Sequence, residues 1–382
     1  MRVFMISRGV PTKEAPLNGI FEFDQAKGLA KAGIDVILCA VDLRSIRHIR
    51  KFGFSKYRKD GVVIYEINAP IGRIKRKFLS KIYQFYIRMI YKKVIKDFGE
   101  PDLIHSHFID LGFNMVSVFK ESSIPLILTE HSSKFNEQSI DATTFNMAKF
   151  TYNKLDALIC VSGSLADNIY DHFGVESIII PNIIDFSEFP LSEKIEADGL
   201  FSFVSVGRLE KLKGMDQLIL AFIQAFENDP NIRLNIIGDG SQKKELLEII
   251  NDNKMEEAIK IIGAVPRHII KKYMATSDAF ILASPKETFG LAYAEALSSG
   301  LPVIGIENSG GPQDFINHQN GILVPYDNIK KLSESMIYIK NNIEKFDRRA
   351  ISEDIKLKFS EKTILDKIIN VYQENIKDET IE

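Results

Sequence analysis

The sequence predicts an α/β protein: two Rossmann-like domains, each built on a parallel sheet, facing each other across a cleft. Three observations predict it. Apolar runs of four to eight residues alternate with helical stretches from end to end of the 382 residues, the pattern of strands covered on both faces by helices. The segment Asp278 to Ile306 reads as one complete strand–helix–strand unit, with Pro285 ending the first strand, Gly300 capping the helix and Pro302 barring its continuation. Finally, Asp185 to Gly199 is polar and aperiodic and separates two series of strands. The domains are therefore residues 1–185 and 200–360.

In the first series strands are expected near 2–7, 35–41, 62–67, 102–107, 125–130, 157–162 and 177–181. In the second they fall near 201–206, 232–238, 259–262, 279–283, 302–306 and 321–324. Hydrophobic content of 45% with 26% charged residues excludes a disordered chain. No run of 18 apolar residues exists, and the start Met1-Arg-Val-Phe-Met-Ile-Ser7 lacks the apolar core of a signal peptide. Cys39 and Cys160 both lie in apolar strand-like runs, so they are expected as buried free thiols, which fits a cytoplasmic protein. Net charge is −2 but uneven: 25 Lys/Arg against 21 Asp/Glu in residues 1–190, and 24 against 30 beyond. The N-terminal half is the one suited to anionic surfaces.

Along that half, the loop Arg8 to Ile20 follows the first strand, where a doubly wound fold carries ligand loops. Its Asn18-Gly19 suits either a plain turn or a ligand contact. Arg44 to Lys59 holds seven Lys/Arg and no acid, and Arg73 to Lys96 holds nine, again without acid. The second stretch interleaves Phe78, Ile82, Phe85, Met89 and Val94 at helical spacing. It reads either as a peripheral seat on an anionic membrane, at the inner face, or as a solvated basic face over a core helix. Nucleic acid is not expected, since no recognised binding module accompanies the charge. His105 and His107 share one strand face, but no third ligand lies near, so a metal site is not expected. His131 follows a strand directly, at the mouth of a crevice, where it can donate to a sugar hydroxyl. Asn182 and Asp185 are expected to shape the hinge.

The second half opens with a strand running into Gly207-Arg208-Leu-Glu-Lys-Leu-Lys213-Gly214. Arg208 and Lys213 can grip one pyrophosphate, the guanidinium as a fork and the ammonium as a point charge. The chain has no Asp-x-Asp, so no required metal and no cofactor is expected. Phe289, Gly290 and Leu291 open the Ala-rich helix, and their unpaired N–H groups suit a phosphate. Glu287 and Glu295 would repel that phosphate, so they are expected to face sugar hydroxyls. Gly310 and Gly311 follow the next strand and can offer backbone N–H groups to a ligand.

Together, K-E287-T-F-G-L-A-Y-A-E295 with G300-L-P-V-I, and G207-R-L-x3-K213-G, resemble the signature of the retaining nucleotide-sugar glycosyltransferases of family 4, which have the GT-B fold. The resemblance spans about residues 1–376. It implies that Glu295 binds the ribose and Glu287 the donor sugar, with Thr288 among the donor-binding residues. It implies that Gly19 lies near the diphosphate, that His131 faces the donor sugar, and that the loop around Val265 meets the base. It also implies that the helix near 362–376 returns to the first domain.

The expected function is transfer of a sugar, with retention, from a nucleotide-diphosphate sugar (UDP favoured) to a carbohydrate or lipid-linked acceptor in glycoconjugate or polysaccharide synthesis. His131, Arg208, Lys213 and Glu287 are the catalytic candidates. Two alternatives remain at this point: a sugar-nucleotide 2-epimerase of the same fold, and a non-catalytic donor-binding partner subunit.

Overall fold

In the computed structural model, all residues are described except 13–14, 16–17, 46–50, 72–73, 137–138, 185, 187–188, 190, 192–198 and 377–382. Asp185, Arg73 and most of the expected linker thus lie outside the described residues, as does the middle of the basic stretch 44–59. The chain divides into one unit of Met1–Ile183 with Glu361–Glu382 and another of Ile184–Ser360.

The first unit runs β1 (Arg2–Ser7), α1 (Ile20–Lys31), β2 (Asp35–Asp42), β3 (Gly53–Lys59), β4 (Val62–Asn68), α2 (Arg76–Phe98), β5 (Leu103–His107) and α3 (Phe108–Phe119). It continues through β6 (Leu126–Glu130), α4 (Ala142–Tyr152), β7 (Ala157–Cys160), α5 (Gly163–Phe173) and β8 (Ile178–Ile179). The sheet order is β3-β4-β2-β1-β5-β6-β7-β8. All pairings are parallel except β3 with β4. The expected all-parallel sheet is therefore corrected at one edge. β3 was not foreseen because its F-S-K-Y-R-K run has no apolar alternation, and most of it is at least partly exposed. Charged, exposed edges of this kind discourage pairing with other chains.

Both faces of this sheet are buried, which is why β1, β2 and β5 read as continuous apolar runs. Val3, Met5 and Leu38 face α1 and the last helix, α12 (Glu361–Asn375), whose Ile364, Ile368 and Tyr372 complete that core. Phe4, Ile37 and Val41 face α2 and α3 through Ile87, Ile90, Met115 and Phe119. Cys39 and Cys160 are buried free thiols.

The second unit runs β9 (Phe201–Val206), α6 (Met215–Phe226), β10 (Ile232–Ile237), α7 (Lys243–Asp252), β11 (Ile259–Gly263), α8 (Arg267–Thr276), β12 (Ala279–Ile281) and α9 (Leu291–Ser298). Then come β13 (Val303–Ile306), β14 (Gly321–Val324), α10 (Ile329–Asn341) and α11 (Arg348–Phe359). Its sheet is parallel throughout, in the order β11-β10-β9-β12-β13-β14. α9 ends as expected: Gly300 has φ 82°, its N–H reaches Leu297 O, and Leu301 N–H reaches Ala296 O.

Each sheet reverses its strand order at one point, between β1 and β5 in the first and between β9 and β12 in the second. Ligand crevices of open α/β sheets lie beyond the carboxyl ends of the strands at such points. Those two edges are where the site residues are to be sought.

Because Ile364 is fully buried between α12 and the first sheet, Ile364→Ala is expected to cost about 2–5 kcal/mol. The check is a fall in the urea midpoint of the unit that holds α12.

Candidate functional site

At the second switch point, close backbone approaches set the geometry. A Cβ on Gly238 would stand 1.8 Å from Gly207 O, so only glycine lets β9 and β10 end side by side. Arg208 follows, exposed, and among the described residues it makes no hydrogen bond or ion pair. A single 3-10 turn, Lys211–Lys213, ends at Gly214 with φ 61°. A Cβ there would lie 2.2 Å from Ala283 O, so the turn presses against the end of β12. The hydroxyl of Ser284, buried beside it, donates to Leu212 O and Lys286 O. The result is an ion pair: Lys213 Nζ lies 2.5 Å from Glu287 Oε1, both largely buried.

The backbone of Glu287 is held on both sides. Its N–H donates to Ser309 O at 2.6 Å, and its carbonyl accepts the Gly311 N–H at 3.2 Å. Gly311 has no room for a side chain, since a Cβ would meet the Phe289 backbone at 2.5 Å. This corrects the expectation for Gly311: its N–H is engaged by protein and its part is close packing. Gly310, at φ 111°, bridges to Glu287 in parallel.

α9 begins at Leu291, with Gly290 as N-cap at φ 87°, one to two residues later than expected. Phe289 is therefore not part of the helix. Its ring is buried against Phe315 and Phe359, with centroids 5.8 and 6.0 Å away, so only its backbone can serve a ligand. Helix bonding starts with Tyr293 N–H to Gly290 O; the preceding N–H groups of Leu291 and Ala292 are the open helix start. Thr288 is half-buried beside them. Glu295 sits one turn into α9 rather than two, with its carboxylate almost buried, and it is bonded by the Arg267 guanidinium at 2.5 Å. Arg267 also lies over the Phe189 ring, 5.2 Å from its centroid. Sequence reasoning missed Arg267: it is 28 residues from Glu295, and nothing local marks the pairing. Val265, two residues earlier on the loop between β11 and α8, is half-buried.

In the first unit, Gly19 caps α1 at φ 71°, and a Cβ there would stand 2.1 Å from Gly9 O. The loop after β1 is thus folded onto the start of α1, and Gly19 is required for that approach. His131 follows β6 with its ring stacked near Phe21 and Phe108, at 5.3 and 4.7 Å between centroids. Its Nε2 lies 2.9 Å from His107 Nδ1, while its Nδ1 is buried with no hydrogen bond of good geometry among the described residues. Burial first, and Arg8 second, push the His131 ring down to about 3, so it is neutral at neutral pH. His105 is bonded to the Tyr372 hydroxyl at 2.6 Å and to Thr129 at 2.8 Å, which ties α12 into the first sheet. The histidines expected on one strand face do stack, 4.7 Å apart. Among the described residues no group of three or more His, Cys, Asp and Glu side chains could hold a metal ion.

Glu130, also missed, anchors the turn that carries His131. Its Oε1 accepts the N–H groups of His131 and Ser132 at 3.0 and 2.9 Å, and Oε2 accepts the Tyr152 hydroxyl at 3.1 Å. Burial outweighs those bonds and pushes the carboxyl up to about 7.

The doubly wound sheet of the second unit thus ends beside two cations, an open helix start and two carboxylates. The profile "Glycosyl transferases group 1" matches residues 191–356, and that of "Glycosyltransferase Family 4" matches residues 23–188. The chain belongs to the group 1 glycosyltransferases of family 4 type, with the GT-B fold. TuaC of Bacillus subtilis, a glycosyltransferase assigned to teichuronic acid biosynthesis, is 28% identical over 85% of this chain and 86% of its own. The alpha-monoglucosyldiacylglycerol synthase of Acholeplasma laidlawii is 28% identical over 76% and 78%. Among solved structures, the sucrose-phosphate synthase of Thermosynechococcus elongatus superposes with a TM-score of 0.80 over 98% of each chain, at 18% identity. HepE of Anabaena, in complex with UDP and glucose, superposes with 0.74 over 98% of this chain and 100% of its own, also at 18% identity.

Glu130 yields a pH prediction. Its folded value, about 7, lies above the ordinary 4.5, so the folded state binds the extra proton between those limits. The favourable proton is present at low pH and is lost as pH rises through about 7. Stability should therefore fall by up to roughly 3 kcal/mol over that window. Glu130→Gln, whose amide can still accept the two N–H groups and donate to Tyr152, is expected to flatten that part of the curve. Denaturant titrations of both proteins at pH 5 and pH 8 check it.

Proposed function

We propose that this glycosyltransferase moves a sugar with retention, and without a metal ion, from a nucleotide-diphosphate sugar to a hydroxyl of a carbohydrate or lipid-linked acceptor. UDP is the favoured nucleotide, and polysaccharide or glycoconjugate synthesis the favoured setting. One observation carries the reading: an exposed guanidinium, Arg208, an ion-paired lysine, Lys213, and the open start of α9 all belong to the switch-point edge of the second sheet. A diphosphate is the ligand that such donors and cations favour together. HepE, crystallised with UDP and glucose, supports the choice of UDP. TuaC supports a polysaccharide setting.

In this reading Arg208 and Lys213 hold the diphosphate, with the Leu291 and Ala292 N–H groups completing its cradle through Gly290, Thr288 and the Phe289 backbone. Glu287 accepts hydrogen bonds from the donor sugar, and its pairing with Lys213 aligns sugar and phosphate subsites. Glu295, oriented by Arg267, accepts from the ribose. The loop at Val265 meets the base, and Gly207, Gly310 and Gly311 let the loops approach. The sugar's C1–O bond to the diphosphate breaks as the acceptor oxygen attacks from the same face. The acceptor's proton passes to the departing phosphate oxygen, and the two cations offset the charge that develops on it.

Peripheral contact with an anionic membrane, at the cytoplasmic face, belongs to the same proposal. Phe78 and Phe85 on α2 are 58% and 61% exposed. Lys77, Lys81, Arg88 and Lys92 are exposed on the same helix. Paired aromatics with a cationic rim suit a headgroup layer. No helix among the described residues is long and apolar enough to cross a membrane.

Arg208→Ala and Lys213→Ala are each expected to weaken UDP binding about tenfold or more, near 1.4 kcal/mol. Thermal-shift titration reads this, and a chelator should leave the wild-type shift unchanged. Unaltered affinity in both variants would sink the donor-site assignment. For the membrane, Phe78→Ala with Phe85→Ala is expected to abolish flotation with phosphatidylglycerol vesicles and leave UDP affinity intact.

A further inference from the structure

The second sheet ends at β14, and the outer edge of that strand borders a groove of about 500 Å³. Ile322 and Leu323 are neighbours in β14 and so point to opposite faces of the sheet, yet both line the groove. It therefore runs along the open edge of the strand and not over one face. Buried Ile316 and Phe346 add apolar surface, while Asn317, His318, Lys345 and Tyr338, in the last turn of α10, bring the polar groups. Asn317 and His318 precede β14, so the groove opens toward the amino ends of these parallel strands. The donor site lies beyond their carboxyl ends.

The groove is built in advance. Asn317 N–H donates to Asn320 Oδ1, Asn320 Nδ2 to Phe315 O and Gly321 N–H to Asn317 O, each at 2.8 Å, which pins the turn before β14. Tyr338 is 46% exposed, and Lys345 Nζ lies 5.7 Å from its ring centroid, held by Asn342 Oδ1 at 2.6 Å. His318 is exposed. Lys345 adjoins Glu344, and both are exposed, so charge selects no anion here. A phenol ring with an amine, an amide and an imidazole over apolar surface suits a ligand that has apolar C–H faces and many hydroxyls. An added peptide strand is the other occupant that an open edge invites, but this edge lacks the donors for it. Val303 N–H donates to Asn320 O and Glu307 N–H to Val324 O, so the even-numbered residues of β14 face β13, and Gly321, Leu323 and Pro325 face out. Gly321 N–H is taken by Asn317 O, and Pro325 has none. Of the three, Leu323 alone offers an outward N–H, enough for a hydroxyl and too little for a ladder.

We propose that this groove is a second saccharide site, separate from the donor site, and that it holds a neutral oligosaccharide. A sugar ring lies against Tyr338, and Lys345, His318, Asn317 and the Leu323 backbone bond its hydroxyls. The chain belongs to a family of sugar-transferring enzymes, and the groove is at the other end of the sheet from Lys213 and Glu287. It therefore takes a part of a glycan that the reaction leaves unaltered. The inference goes beyond the donor site and does not depend on that assignment.

The full chain, with and without saturating UDP, is titrated by saturation-transfer NMR with maltopentaose, cellopentaose, mannopentaose and N-acetylchitopentaose. At least one is expected to bind, with the same affinity whether or not UDP is present. Tyr338→Ala should weaken it about tenfold, the loss of one well-made aromatic contact, and Tyr338→Phe, which keeps the ring, by no more than about twofold. His318→Ala should weaken it several-fold. Both side chains are exposed, so all three variants should keep the wild-type melting temperature and UDP affinity. No binding of any of the four sugars, or wild-type affinity in Tyr338→Ala, would overturn the inference. So would displacement of the sugar by UDP or its loss in Arg208→Ala, which would place it in the donor site. An acetylated hexapeptide of alternating valine and threonine that binds where no sugar does, and is lost in Tyr338→Ala, would overturn it in favour of an added strand. Failure of UDP itself to bind counts against the donor site alone, because the sugars are also read without it.

Discussion

The contact between Lys213 and Glu287 is what the rest of the candidate site depends on. The two groups meet at 2.5 Å with little solvent around either. A partly buried charge left without its partner is strongly unfavourable, so each must keep a counter-charge at every stage. That constraint fixes the turn after β9 against the loop after β12. In the proposed reading the donor does not displace the pair but extends it, adding phosphate on the lysine side and hydroxyls on the carboxylate side. Net charge in the pocket then changes little as the ligand enters.

Glycine makes this contact possible. Gly214 lets the turn that ends in Lys213 touch the end of β12, and Gly311 lets the following loop lie on the backbone of Phe289. The first sheet uses the same device at Gly19, where the loop after β1 meets the start of α1. At both edges the backbone is drawn in close so that charged side chains, and not loops, surround the space beyond the strands. The two edges differ in how the charges are held. In the second unit a cation and a carboxylate share one depth, whereas in the first Glu22 and Asp42 are buried and Arg8 and Arg44, which pair with them, are partly exposed.

Most of the fold was legible because fully buried parallel strands leave apolar runs that no other element mimics in this alternation. β3 was not, since an exposed edge strand carries no apolar signal and here consists largely of Lys, Arg and aromatic residues. The helix start was misjudged by one to two residues because Gly290 at φ 87° caps α9, and a positive φ cannot be seen in a glycine's letter alone. Lys213 and Glu287 stood out through their neighbours' spacing. The partners of Glu295 and His131 did not, because Arg267 and His107 reach them across the fold and their local sequence gives no sign of it. The same holds for Glu130, whose burial follows from the packing of Tyr152 above it.

The central claim is a position in space for one diphosphate. A crystal of the protein grown with UDP tests it most directly. The account predicts phosphate oxygens within about 3.2 Å of Lys213 Nζ and of the Leu291 or Ala292 N–H, with the ribose hydroxyls on Glu295. Density for UDP elsewhere, with the Lys213–Glu287 pair unvisited and the start of α9 empty, would contradict it.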